Sequence, residues 1–213
     1  MKNGGEKCLG AKVPSITYLL IAVNALIFFY MLGLSESALD AFIGKYGLIP
    51  TLIVQRENLY TLVTSMFLHG GLDHLVLNML FLLIAGDGCE RAMGHSRFLA
   101  FYLIAGVFSG LFYVYMDTAS SVTAIGASGA IFGILAAFAI LFPFRMVISF
   151  VGGFIPVPLP AIIFVILSIW LETVYVMTGA NPHIAHTAHI GGFLAGVFLT
   201  LLFSPSKHEE EET

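Results

Sequence analysis

The sequence predicts an all-α polytopic membrane protein, a bundle of six transmembrane helices with a short central fourth helix. Three observations carry that prediction. Hydrophobic residues make up 58% of the 213 and charged residues only 10%, with a mean hydropathy of +0.94, against about 25% charged in soluble domains. The apolar residues gather into six runs, and a chain of this length holds about six crossings of roughly 20 residues with short loops between them. The charge is peripheral: the net value of -4 owes much to Glu209–Glu212, a solvated acidic end. The expected division is a cytoplasmic segment over 1–15, one membrane domain over 16–203 and an acidic cytoplasmic tail over 204–213. Nothing in the composition points to nucleic acid. Cys8 and Cys89 are too few for a disulfide framework or a thiolate metal site.

Taken in order, residues 1–13 are polar, with Lys2, Lys7 and Lys12, and precede the run Ile16–Leu34. That run exceeds the 7–15-residue core of a signal peptide, so it reads as a retained first helix, although small residues over 35–41 mimic a cleavage site. Over 35–64 the pattern breaks at Gly44, Gly47 and Pro50, and Lys45, Tyr46, Arg56 and Tyr60 suggest a partly helical segment on the membrane surface. The second span, 66–86, is unusual in holding His69, Asp73, His74 and Asn78; His74 and Asn78 are four apart and share a helical face. A polar loop is expected over 88–97, with Glu90 and Arg91 forming a weak surface pair. The third span is 98–116, followed by a polar loop over 117–123. The fourth, 128–142, is short for a crossing, which would leave Ser128 at the bottom of a cavity open to water. Pro143 and Arg145 end it, and Gly152, Gly153, Pro156, Pro158 and Pro160 make an irregular approach to the fifth helix, 161–177, with Glu172 near its end. The sixth span, 189–203, carries Gly192 and Gly196 on one close-packing face. Of the basic residues, Lys2, Lys7, Lys12, Arg91, Arg97, Arg145 and Lys207 fall on one side and Lys45 and Arg56 on the other, which places both termini in the cytoplasm.

With that topology, helices two, four and six begin at the extracytoplasmic face. His74, Asn78, Ser128 and His189 then converge at similar depth. Ser and Gly in a membrane helix most often serve close packing, and Asn78 could equally be interhelical glue, His69 an orienting group for a loop, and Phe132 core. An ionisable residue inside a membrane is nonetheless a functional candidate. Serine needs a base to become a nucleophile, and His189 is the base at matching depth. No acidic residue is expected at that depth on helix six or the helices between, so a two-residue Ser–His arrangement follows. A tetrahedral intermediate needs donors for its oxyanion, which His74, Asn78 and the Ser128 backbone N–H could supply. Gly126 and Gly129 would let a substrate backbone approach.

These residues fall into three motifs: Gly126-Ala127-Ser128-Gly129, His74-x-x-x-Asn78 and Ala188-His189-x-x-Gly192-x-x-x-Gly196. Over 16–203 the chain resembles the rhomboid intramembrane serine proteases, whose G-x-S-G, H-x-x-x-N and A-H-x-x-G-x-x-x-G motifs these match in order. The resemblance implies that Ser128 is the nucleophile, His189 the general base, His74 and Asn78 oxyanion contributors with Gly126 beside them, and that neither cofactor nor metal is required. It implies that helix five and the loop before His189 gate substrate access. Two positions depart from the family: Tyr60-Thr61 stands where Trp-Arg is common, leaving the anchor of that segment open, and Phe132 stands where a Tyr commonly stacks on the histidine.

The expected function is an intramembrane serine endopeptidase that acts in the lipid bilayer of the cell membrane on single-span membrane proteins, near their extracytoplasmic end. Two rivals have other signatures. A non-catalytic binder of membrane helices would fold normally without hydrolysis. A His-based metal transporter would use His183, His186 and His189, although no acidic or thiolate ligand is expected to join that set.

Overall fold

The computed structural model describes residues 13–151, 155–182 and 184–203. The terminal segments expected over 1–15 and 204–213 therefore lie almost wholly outside the described residues, as does His183. Nine α-helices, a single 3-10 turn over Ser65–Phe67 and one hairpin are described. They are α1 (Ser15–Leu32), α2 (Glu36–Tyr46), α3 (Pro50–Val54), α4 (Thr61–Thr64), α5 (Leu72–Met93), α6 (His95–Met116), α7 (Ser128–Leu141), β1 (Met146–Val151), β2 (Ile155–Pro160), α8 (Ala161–Thr178) and α9 (His186–Phe203). Five of these, α1, α5, α6, α8 and α9, are long and apolar enough to cross a membrane, and α7 is a shorter apolar helix. The chain is a multi-pass membrane protein with an all-α bundle.

α7 is the axis. It carries no charged residue, so no face of it is suited to water, and Ile134, Ala137 and Phe138 have at most 1% of their surface exposed. Within hydrocarbon, apolar side chains gain little by leaving lipid, so helices associate through close contact of small residues. α7 and α9 do so at two levels. A Cβ on Gly192 would lie 1.9 Å from the carbonyl oxygen of Gly129, and one on Gly196 would lie 2.2 Å from that of Gly133. That contact fixes the distance between the helices that carry Ser128 and His189.

The segment after α1 folds as three short helices, as its mixed pattern suggested, and it braces the loop ahead of Ser128. Leu48 and Ala124 exchange backbone hydrogen bonds of 3.0 and 2.8 Å, and the Gly126 N–H donates to Ser65 O at 2.9 Å. At the departure from the family pattern, the Tyr60 hydroxyl donates to Lys45 O at 3.0 Å and Thr61 is buried. The anchor here is a phenol bound to backbone.

Two expectations are corrected. No polar loop occupies 88–97: α5 runs to Met93 and α6 starts at His95, joined by Gly94 alone at φ +81°. Glu90 consequently faces inward. Its carboxylate accepts from Ile16 N (2.9 Å), Thr17 N (2.7 Å) and Thr17 Oγ1 (2.7 Å), and lies 2.6 Å from His95 Nδ1. It satisfies the orphan N–H groups at the start of α1, whose own N-cap, Pro14, offers no side-chain acceptor. Arg91 pairs with Asp87, one turn back, at 3.0 Å. The irregular approach to the fifth helix is an antiparallel hairpin, β1 against β2. Pro156, Pro158 and Pro160 fall on alternate positions of β2, so their missing donors all lie on one edge of a two-stranded ribbon.

Candidate active site

Ser128 opens α7, and the loop before it is set by Gly126 at φ +125°, a conformation that suits glycine. A Cβ there would also meet His74 Nε2 at 2.8 Å. Ser128 Oγ lies 2.8 Å from Nε2 of His189, in the first turn of α9. The Phe132 ring, one turn along α7, stacks on the imidazole with centroids 4.6 Å apart and planes 9° apart. The phenylalanine that could have been plain core is thus a platform that fixes the ring plane.

A cavity of about 840 Å³ opens over this pair, with Ser128, His189, His74, Asn78 and Glu172 in its walls. The four polar residues expected to converge do line one space. Asn78 donates its amide to His74 O at 2.8 Å, leaving its second amide hydrogen for another acceptor. Gly129 also lines the cavity, but the side on which a Cβ would project is filled. A Cβ there would strike Ser109 Oγ at 2.0 Å, and that hydroxyl donates to Ala188 O at 2.6 Å. Gly129 thus also serves packing between α6, α7 and α9.

His69 lies ahead of α5, 1% exposed, its ring edge-on to His74 with centroids 5.0 Å apart. Burial, followed by the neighbouring charge of His74, lowers its pKa from 6.5 to about 4. It is held neutral. That fits an orienting group against His74 better than a proton carrier.

One residue of the site was missed. Glu172, on α8, has Oε2 2.5 Å from His186 Nδ1 and 2.9 Å from His189 Nδ1. The first contact is an aligned hydrogen bond, whereas the second is an ion-pair contact off the line of the ring N–H. An acidic residue therefore stands at the depth where none was expected. The signal was available. The fifth helix ends at the face where the sixth begins, so a carboxylate near its end must lie level with His189.

Glu172, His186 and His189 also bring three possible metal-ligand atoms within 4.8 Å, so the acidic member absent from the expected histidine set is present. Tetrahedral zinc with bonds of about 2.0–2.2 Å would hold ligand atoms about 3.3 Å apart. The observed separations are shorter, a 2.5 Å hydrogen bond and a 2.9 Å ion-pair contact.

Comparison with known proteins adds a family match and three relatives. A Rhomboid domain profile matches residues 56–206. RHOMBOID-like protein 5 of Arabidopsis thaliana is 32% identical over 165 residues, covering 76% of this chain and 50% of that protein. Rhomboid protease AarA of Providencia stuartii is 28% identical over 232 residues, covering 98% and 79%, and Rhomboid protease GluP of Bacillus subtilis is 31% identical over 188 residues, covering 87% and 34%. The chain thus spans half of the Arabidopsis relative, about four-fifths of AarA and a third of GluP.

Proposed function

The chain belongs to the rhomboid family, and from that premise we propose that it is an intramembrane serine endopeptidase working through Ser128 and His189. The observation that carries the reading is the 2.8 Å contact between Ser128 Oγ and His189 Nε2 at the wall of a cavity large enough for water and peptide. Hydrolysis inside a bilayer needs both.

In this reaction the Ser128 hydroxyl gives its proton to Nε2 as Oγ attacks the scissile carbonyl. The imidazolium returns that proton to the leaving amine, and a water repeats the sequence to release the acyl-enzyme. The oxyanion is met by three groups: the free N–H of Ser128 in the first turn of α7, His74 and the second amide hydrogen of Asn78. Phe132 holds the imidazole plane while its proton moves. The substrates are single-span membrane proteins cut near their extracytoplasmic end, with the enzyme in the cell membrane and both termini cytoplasmic, as the distribution of basic residues implies.

The test is cleavage of a generic single-span substrate by the purified protein in lipid vesicles, beside Ser128→Ala and His189→Ala. Each substitution is expected to lower turnover on the order of 10⁴-fold or more, and Ser128→Ala to abolish labelling by a fluorophosphonate. Cleavage at the normal rate by Ser128→Ala would overturn the assignment. A folded wild-type protein that neither cleaves nor labels would favour a helix-binding role.

A further inference from the structure

Glu172 stands apart from the Ser–His pair of that mechanism, yet it is the carboxylate in contact with the base. Its helix is the thinly anchored one: its buried residues, Ala161, Phe164 and Val165, all sit in its first two turns. Toward its C-terminal end α8 is apolar, and at Glu172 it turns a carboxylate inward, with 13% of the side chain exposed. A charge at that depth costs several kcal/mol unless donors meet it. Two imidazoles do. Aromatic packing supports them, since the Tyr175 ring lies over His186 at 4.8 Å.

We propose that Glu172 is a positioning residue for the peptidase reaction, extending the Ser128–His189 pair to a three-member chain with His186 as its clasp. This rests on the reading of Ser128 and His189 given above. A neutral imidazole offers a lone pair on only one nitrogen, and Ser128 needs it on Nε2. A carboxylate only accepts, so Oε2 at 2.9 Å favours the tautomer with its proton on Nδ1. When the Ser128 proton reaches Nε2 the ring becomes a cation, and the same carboxylate lies against the new charge. Glu172 itself takes no proton. His186 donates Nδ1–H to that oxygen at 2.5 Å and keeps it in place. The groups facing His189 are Glu172 from α8, His186 from its own helix, His74 from α5, and Ser128 and Phe132 from α7. Among these Glu172 alone carries negative charge. Because nucleophile, base and carboxylate ride on three helices, any displacement of α8 from α9 withdraws the third member and weakens the base.

The test uses the full chain in lipid vesicles with a generic single-span substrate, comparing wild type, Glu172→Gln and Glu172→Asp for kcat, KM and the rate of fluorophosphonate labelling. Glu172→Gln is expected to lower kcat between about 10- and 1000-fold with KM within about twofold. That is less than the roughly 10⁴-fold of a well-aligned triad carboxylate, because the 2.9 Å contact is off-axis. Labelling should slow in parallel, and Glu172→Asp should recover part of the loss. Wild-type kinetics in Glu172→Gln, or a loss confined to KM and unrelieved by Asp, overturns the proposal while wild-type labelling keeps the Ser128 reading intact. Wild type that neither cleaves nor labels overturns both. If Glu172→Gln does not fold, imidazole ¹⁵N shifts of the wild type decide: a neutral His189 with its proton on Nε2 overturns the proposal, and one with it on Nδ1 supports it.

Discussion

Glu90 and Glu172 are both carboxylates inside an apolar bundle, near the C-terminal ends of α5 and α8, and the two helices run in opposite senses. The difference lies in the donors that meet them. Glu90 is met by two backbone N–H groups, a hydroxyl and the exposed His95 ring; its side chain is fully buried, and none of these partners touches Ser128. It joins α1 to α5 and α6 and has no free valence for chemistry. Glu172 is met by two imidazoles, one of which touches Ser128, and it lies beyond the last buried residue of its helix. A buried carboxylate braces the fold when its partners end at structure; the same group bears on reaction when one of its partners also touches the nucleophile.

The sharpest way to break this contrast is Glu90→Ala. It strands the Ile16 and Thr17 donors, and the expected loss is about 3–5 kcal/mol of stability, with turnover per folded molecule unchanged. Unfolding in detergent micelles and active-site titration read the two quantities separately; a turnover defect at full occupancy would erase the distinction. Gly192→Ala comes next. Its Cβ would lie 1.9 Å from Gly129 O, so α9 must shift away from α7. We expect a stability loss of about 1–3 kcal/mol together with a large fall in kcat, because the shift also separates His189 from Ser128. Phe132→Leu keeps an apolar side chain and loses the stacked ring, worth about 0.5–1.5 kcal/mol beyond its area, so kcat should fall roughly 2- to 10-fold with stability nearly unchanged.

The smallest effect is one of pH. Because the folded state holds His69 at about 4, below its ordinary 6.5, the unfolded chain binds the extra proton between those values. The stabilisation is complete above pH 6.5 and declines as pH falls toward 4. The melting temperature should drop over that window, and less so in His69→Asn. An identical drop in the variant would show that another group is responsible.

The serine, histidine and H-x-x-x-N positions were legible because motif and topology point to the same depth, and the six apolar helices because runs of that length leave few alternatives. Glu90 was misread because Gly88, Glu90 and Arg91 together look like a loop. Their helical state depends on partners in α1, far away in sequence. Glu172 is hidden from a helix-by-helix reading, because depth is what brings two helix ends together. The hairpin was hidden by its prolines, whose suitability for an outer edge emerges only once the strands pair.

Gly94 makes α5 and α6 nearly continuous, turning between them on a single residue at φ +81°. No hydrophilic loop of any length separates the two spans, so there is little to hold one back while the other enters the lipid. During synthesis they must pass into the bilayer together as a helical hairpin. Space around Gly94 is open, but at φ +81° and ψ 159° any side chain strains the backbone, a β-branched one most. The cost of Gly94→Val would therefore fall on biogenesis, as protein degraded before assembly, and the molecules that did mature would turn over at the ordinary rate.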